Sequence, residues 1–261
     1  MQRISVWRSA RIIWLLATLL FLLAPVVITV FGSFSARWGR TPWEAFTLEW
    51  YGYVFRTYGQ AIRVSLLVGA CTVVITTLIG IPAGYALARY RFWGRALLED
   101  ALLLPLTLPG LALGLAIVQT YVILRGQLLL LIIGHVVFTL PYMVQMVTAS
   151  LRTGNVLRLE AAAASLGANW FQRFFLVTLP SIRNTVVAAG LAVATLSLGE
   201  FNLSYFLYSP LAMPLPVGMY EAYASLRIEI GSAFTTLFVA LLLPLLLVGQ
   251  LLGRTRATSS T

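Results

Sequence analysis

Apolar residues in this chain come in long runs. They do not alternate as in a half-buried strand, nor follow the narrow stripe of a surface helix. The first run extends from Ile12 to about Ser33, after Arg3, Arg8 and Arg11, and five more cover 61–88, 99–123, 128–151, 184–206 and 232–252. Each is near or above the ~20 residues a helix needs to cross ~30 Å of hydrocarbon, and far longer than the ~10 of a barrel strand. The pattern predicts an all-α integral membrane protein with six transmembrane helices in a single domain over 1–261. Pro82, Pro105, Pro109 and Pro141 fall inside the runs; packed membrane helices tolerate such breaks. The first run is too long for a signal-peptide core and reads as an uncleaved helix spanning 12–33.

Composition agrees. Of 261 residues, 60% are hydrophobic and 10% charged, with mean hydropathy +0.90, where a soluble domain carries roughly 25% charged residues. All 18 basic residues are arginine. The net charge of +10 does not point to nucleic acid, because the arginines are scattered singly between apolar runs and form no stripe. They follow topology instead. With the N-terminus inside, twelve arginines fall in inner segments and six in outer ones, which places both termini in the cytoplasm. Segments 34–60 and 207–231 then lie outside. The first is an aromatic-rich loop, and the second holds a short helix, Val217–Leu226. A lone Cys71 and a lone His135, both within apolar runs, give no catalytic or metal-ligand constellation.

The gap at 152–183, RTGNVLRLEAAAASLGANWFQRFFLVTLPSIR, is too charged to cross lipid cheaply, since each central charge costs ~2.5–3.5 kcal/mol. Yet it is not a polar linker. Leu159–Leu166 is alanine-rich and helix-forming, Gly167 ends that helix, and Asn169 caps a second one carrying Trp170, Phe171, Phe174 and Phe175. Pro180 closes it. Physics alone leaves two readings: a hairpin resting on lipid headgroups, or a knob for a soluble partner.

The loop resembles the E-A-A-x3-G-x9-I-x-L-P loop of permease subunits of binding-protein-dependent ABC importers. From Gly167 the frame reaches Val177, Leu179 and Pro180; backwards, Ala162 and Ala163 match the alanines. The acidic position falls on Ala161, while the glutamate is Glu160, one residue and ~100° of helix away. The docking role therefore rests on the loop's shape and aromatic face more than on that carboxylate. The resemblance implies a type I ABC importer permease fold and a coupling role for Glu160, Ala161, Ala162, Ala163, Gly167, Trp170, Phe171, Leu179 and Pro180, seated on an ABC ATPase dimer that uses ATP and Mg. This chain has no lysine for a G-x-x-x-x-G-K-[ST] loop, so the ATPase is expected to be a separate chain, and no cofactor is expected on this one. The family also implies a second permease subunit, as a heterodimer, an extracytoplasmic substrate-binding protein docking on 34–60 and 207–231, and a bacterial inner membrane.

Segments 102–117, 197–207 and 214–223 are similar to the spermidine/putrescine-type branch, whose relatives also carry phosphonates, thiamine, ferric iron or sulfate. A polyamine is the expected cargo. Glu200 is an intramembrane carboxylate, a costly group that marks a pathway or a partner. Glu200, Asn202 and Tyr205 are candidate pathway residues, joined by Tyr142 and Gln145; Gln119 and His135 are weaker, and Arg63 snorkels. An ATP-independent secondary transporter is the rival class. It predicts charges in several spans or an inverted repeat, and neither is seen.

Overall fold

The computed structural model describes residues 2–37, 45–225 and 228–254. Arg40, Arg227 and Arg256, three of the arginines behind the expected topology, lie outside the described residues, as does Leu226. The helices are α1 (Gln2–Gly32), α2 (Glu49–Arg89), α3 (Arg95–Thr107), α4 (Gly110–Thr120), α5 (Leu128–Leu151), α6 (Gly154–Ser165), α7 (Trp170–Gln172), α8 (Leu179–Gly199), α9 (Asn202–Leu207), α10 (Leu215–Ala224) and α11 (Ile228–Arg254). Among the described residues, five helical stretches are long and apolar enough to cross a bilayer, and α3 with α4 makes a sixth if the pair counts as one bent span.

Three boundaries differ from the hydropathy reading. The run 99–123 is not one rod: α3 and α4 meet at 107°. Leu108 is extended (φ −81°, ψ 138°), because the residue before a proline is pushed out of the α region and Pro109 has no N–H to continue the ladder. The run 184–206 stops at Gly199, and Glu200 turns extended (ψ 105°) before α9. Segment 34–60 is not all loop, since α2 starts at Glu49. At 41 residues α2 is ~60 Å long, about twice the hydrocarbon thickness, so part of it extends beyond the lipid core.

The chain divides into two compact units, residues 1–59 with 219–240 and residues 60–218 with 241–261. In the first, the turn after α1 is tied down by aromatics. The Ser33 hydroxyl and Tyr51 hydroxyl are 2.6 Å apart, Trp50 Nε1 donates to the Ser35 carbonyl at 2.9 Å, and Phe34 stacks on Phe46. Tyr58 meets Phe234 edge-on.

The second unit has two buried cores. One gathers Ile81, Met143, Val147, Leu151, Phe174 and Ile182; the other gathers Val68, Leu113, Leu130, Leu131, Leu203 and Leu207. Lipid supplies no hydrophobic drive between spans, so close packing and small residues hold them. Gly80 and Gly84 let α2 press on α5: an added Cβ at Gly84 would lie 2.7 Å from Val147 Cγ1 and 3.1 Å from the Val144 carbonyl. Gly110 and Gly114 do the same for α4 against α9, facing Asn202, Leu203 and Phe206. Both pairs are small-xxx-small motifs.

Candidate functional site

The hairpin at 152–183 is built by local chemistry. Gly167 takes the left-handed conformation, φ +82°. Ala168 N–H then reaches the Ala163 carbonyl and Gly167 N–H the Ala164 carbonyl, both at 3.0 Å. That paired closure satisfies the last carbonyls of α6 and requires a residue without Cβ strain. Asn169 opens the second arm through a reciprocal box: Gln172 N–H donates to Asn169 Oδ1, and Asn169 N–H donates to Gln172 Oε1, each at 2.9 Å. Two orphan donors are thereby satisfied.

Pro180 does not close the second arm, contrary to the expectation. The helix runs on from Trp170 to Gly199 through a π-helical turn at Arg173–Thr178, where Leu179 N–H bonds the Phe174 carbonyl five residues back. Proline in a regular helix removes one ladder bond and clashes with the carbonyl four residues earlier. Here the wide turn has already opened the ladder just before the ring arrives.

The aromatics do not form one exposed face. Phe174 is buried and stacked on Trp170 at 5.3 Å, with Tyr85 of α2 edge-on to both. These rings anchor the hairpin. The outward surface consists of Leu166 (89% exposed), Phe171 (67% exposed), Phe175 and Leu176, beside the exposed Ala161 and Ala162, with Ala163 partly covered. Leu179 is half-buried against the first core and Pro180 is exposed.

Glu160 is not on that outward surface. It is 7% exposed and clamped. Arg89 Nε donates to Oε2 at 2.7 Å, Arg89 Nη2 to Oε1 at 3.2 Å, and the Thr178 hydroxyl to Oε1 at 2.7 Å. Arg89 Nη1 also donates to the carbonyl of Leu151, the last residue of α5, at 2.7 Å. One guanidinium–carboxylate pair thus joins the end of α2, the end of α5, α6 and the π turn. Sequence reasoning used Arg89 only as a topology charge and passed over Thr178.

The pathway candidates separate into two places. Glu200, Asn202 and Tyr205 cluster at the α8–α9 break. Glu200 Oε1 accepts the Leu203 N–H at 2.9 Å, capping α9, and faces Gly110. Asn202 and Tyr205 are exposed. His135, buried, bridges the break: Nδ1 is 2.7 Å from Ser197 Oγ and Nε2 is 2.9 Å from Ser204 Oγ. Ser204 donates its own proton to the Glu200 carbonyl at 2.6 Å, so it accepts from Nε2–H.

Tyr142 and Gln145 sit elsewhere on α5. Tyr142 is half-buried beside Phe138. Gln145 lines a cavity of about 300 Å³ with Glu99, Thr148 and Arg152, where Glu99 is held by Arg152 at 2.7 Å and Arg95 at 3.0 Å. Gln119 and Arg63 are exposed.

Residues 80–255, which contain the hairpin, the clamp, the α8–α9 break and the cavity, match the binding-protein-dependent transport system inner membrane component family. The chain belongs to that family. It is therefore a multi-pass inner-membrane permease subunit of a binding-protein-dependent ABC importer. It is 29% identical over 255 residues to the putrescine transport system permease protein PotI of Escherichia coli K12, covering 93% of this chain and 89% of PotI. It is 28% identical over 249 residues to the spermidine/putrescine permease protein PotC of the same organism, covering 92% of each. The fold is that of a chain from a bacterial alginate ABC transporter solved with an alginate-bound periplasmic protein: TM-score 0.74, 14% identity, 97% of this chain and 96% of that one. These relatives are transport permeases, not enzymes.

Proposed function

We propose that this permease subunit forms half of a translocation path for a polyamine and that the 152–183 hairpin seats a separate ABC ATPase. The supporting observation is the hairpin itself. Its two ends are closed by Gly167 and Asn169, its inner rings anchor it, and it leaves Leu166 and Phe171 uncovered at its tip. Large apolar side chains on a hairpin too charged to sit within lipid mark a protein contact. The ATPase is a dimer that binds and hydrolyses ATP with Mg; this chain binds neither. The other half of the path comes from a second, homologous permease in a heterodimer, and both termini face the cytoplasm with the hairpin. An extracytoplasmic binding protein delivers the solute to the opposite face. The polyamine assignment follows the two polyamine permeases among the relatives.

The test is co-expression with an ATPase, a second permease and a binding protein from the same organism, followed by reconstitution. The wild-type complex retains the ATPase and takes up radiolabelled putrescine or spermidine on ATP addition. The double variant Leu166→Ser with Phe171→Ser releases the ATPase without lowering the permease's own thermal stability, because both side chains are exposed. Retention of the ATPase by that variant would overturn the seat, and uptake of 2-aminoethylphosphonate in preference to polyamines would overturn the cargo.

A further inference from the structure

We infer that in this permease the acidic residue of the coupling hairpin acts inward: Glu160 is a positioning residue that locks α6 to α2 and α5, so that movement of the seat is carried into the spans. The inference rests on the functional reading above, in which the hairpin receives an ATPase.

Three observations carry it. The first is direction. Glu160 lies one residue before the position aligned with the family's glutamate, and a one-residue step on a helix is ~100°. Ala161, at the aligned position, is exposed, while Glu160 is buried. The second is saturation. The carboxylate accepts two bonds from Arg89 and one from Thr178, and the side chains of the pair are only 11% and 9% exposed. Turning Glu160 toward a partner would strand the Arg89 guanidinium in the interior, which is strongly unfavourable. Glu160 is therefore not free to be the group that touches the ATPase. The third is connectivity. Arg89 is the last residue of α2 and also caps the last carbonyl of α5, and Thr178 ends the π turn that leads into α8. A rigid bidentate fork is suited to passing a displacement without slack, whereas a lysine would act as a point charge on a flexible stem. Val156 of α6 also packs into the first core.

The experiment uses the full complex in nanodiscs, with ATP hydrolysis measured alone and with the putrescine-loaded binding protein. For Glu160→Gln the complex retains its ATPase and its basal hydrolysis, while stimulation by the loaded binding protein falls about tenfold, within the range of a typical coupling between sites. Thr178→Val keeps the ion pair and lowers stimulation less, about threefold. Arg89→Lys leaves the complex assembled but does not restore full stimulation. Full stimulation in Glu160→Gln overturns the inference. Loss of ATPase binding in Glu160→Gln with the permease's thermal stability unchanged also overturns it, because the carboxylate then contacts the partner. If Glu160→Gln prevents assembly and Thr178→Val is indistinguishable from wild type, the residue is merely structural and the inference fails. A wild-type complex that does not hold the ATPase sinks the functional reading itself, an outcome distinct from the others.

Discussion

Gly84→Ala tests the α2–α5 contact on which the clamp depends. The added Cβ would meet Val147 Cγ1 at 2.7 Å, Val147 Cβ at 2.9 Å and the Val144 carbonyl oxygen at 3.1 Å. Carbon contacts are comfortable at ~3.5–4.0 Å, so α2 and α5 must part by nearly an ångström or Val147 must move. Val147 is fully buried in the first core, where close packing leaves little room to turn aside. The carbonyl is backbone and cannot give without shifting α5. Overpacking of this kind costs ~1–3 kcal/mol, and two backbone-rigid obstacles place it in the upper half of that range. Alanine is also the better helix former, offsetting ~1 kcal/mol. The net is a destabilisation of about 1.5 kcal/mol, or roughly tenfold in the folding equilibrium. The assay is SDS-induced unfolding of the permease complex. Gly59→Ala serves as control, because nothing lies within 4 Å of its Cβ and only the propensity gain remains. In a Val147→Ala background Gly84→Ala costs less, since the Cγ1 contact at 2.7 Å is gone while the Cβ contact at 2.9 Å and the carbonyl contact at 3.1 Å stay. Because Arg89 lies five residues beyond Gly84, Gly84→Ala also weakens the clamp and lowers stimulated ATP hydrolysis. A Gly84→Ala protein as stable as wild type would refute the close-packing argument.

Further outcomes follow from the α8–α9 break. Glu200→Gln keeps an acceptor for the Leu203 N–H, so the complex assembles with unchanged stability; putrescine uptake falls in reconstituted vesicles, and unchanged uptake removes Glu200 from the path. Glu200→Ala loses the cap and costs about 1 kcal/mol, read by the same SDS titration. His135→Leu removes two interhelical hydrogen bonds of ~0.6 kcal/mol each, so unfolding shifts by about 1 kcal/mol while ATPase retention stays at wild-type level. A loss of ATPase binding there would contradict the purely bridging role of the ring.

What could be read from residue order depended on the range of the interaction. The positions of Gly167 and Asn169 were legible because their jobs are local: one supplies a left-handed closure and the other caps the next turn within three residues. The spans were legible because lipid imposes one length on any helix that crosses it. The bend at Leu108–Pro109 was written in a Pro-Gly pair, but averaging hydropathy over the run erased it. The Glu200 cap is local too, yet a carboxylate within an apolar stretch drew attention to its charge rather than to the N–H three residues on. The glycine pairs at 80/84 and 110/114 carry a recognisable spacing, but only the facing helix shows that each admits a close approach.

The Glu160 clamp lay beyond such reading. Its partner is 71 residues away in sequence, and Arg89 already had a sufficient explanation as one of twelve inner arginines. The residue order did reveal that Glu160 is one step out of the family frame. It did not say which way that step turns the carboxylate, because a rotation of ~100° has meaning only against fixed neighbours. The fold supplies them: Tyr85 meets Trp170 and Phe174 edge-on, which sets the rotation of the hairpin about α2, and with that rotation fixed Arg89 comes within 2.7 Å of the displaced carboxylate. The displacement that weakened Glu160 as a docking residue is thus what places it in the interior. A variant restoring the family frame, with Ala161→Glu and Glu160→Ala together, would move the charge to the exposed side and leave Arg89 bound only to the Leu151 carbonyl. Stranding a buried partner in this way costs ~3–5 kcal/mol, so the variant that looks more like its family folds less stably, and an SDS titration showing equal stability would remove the clamp from the account.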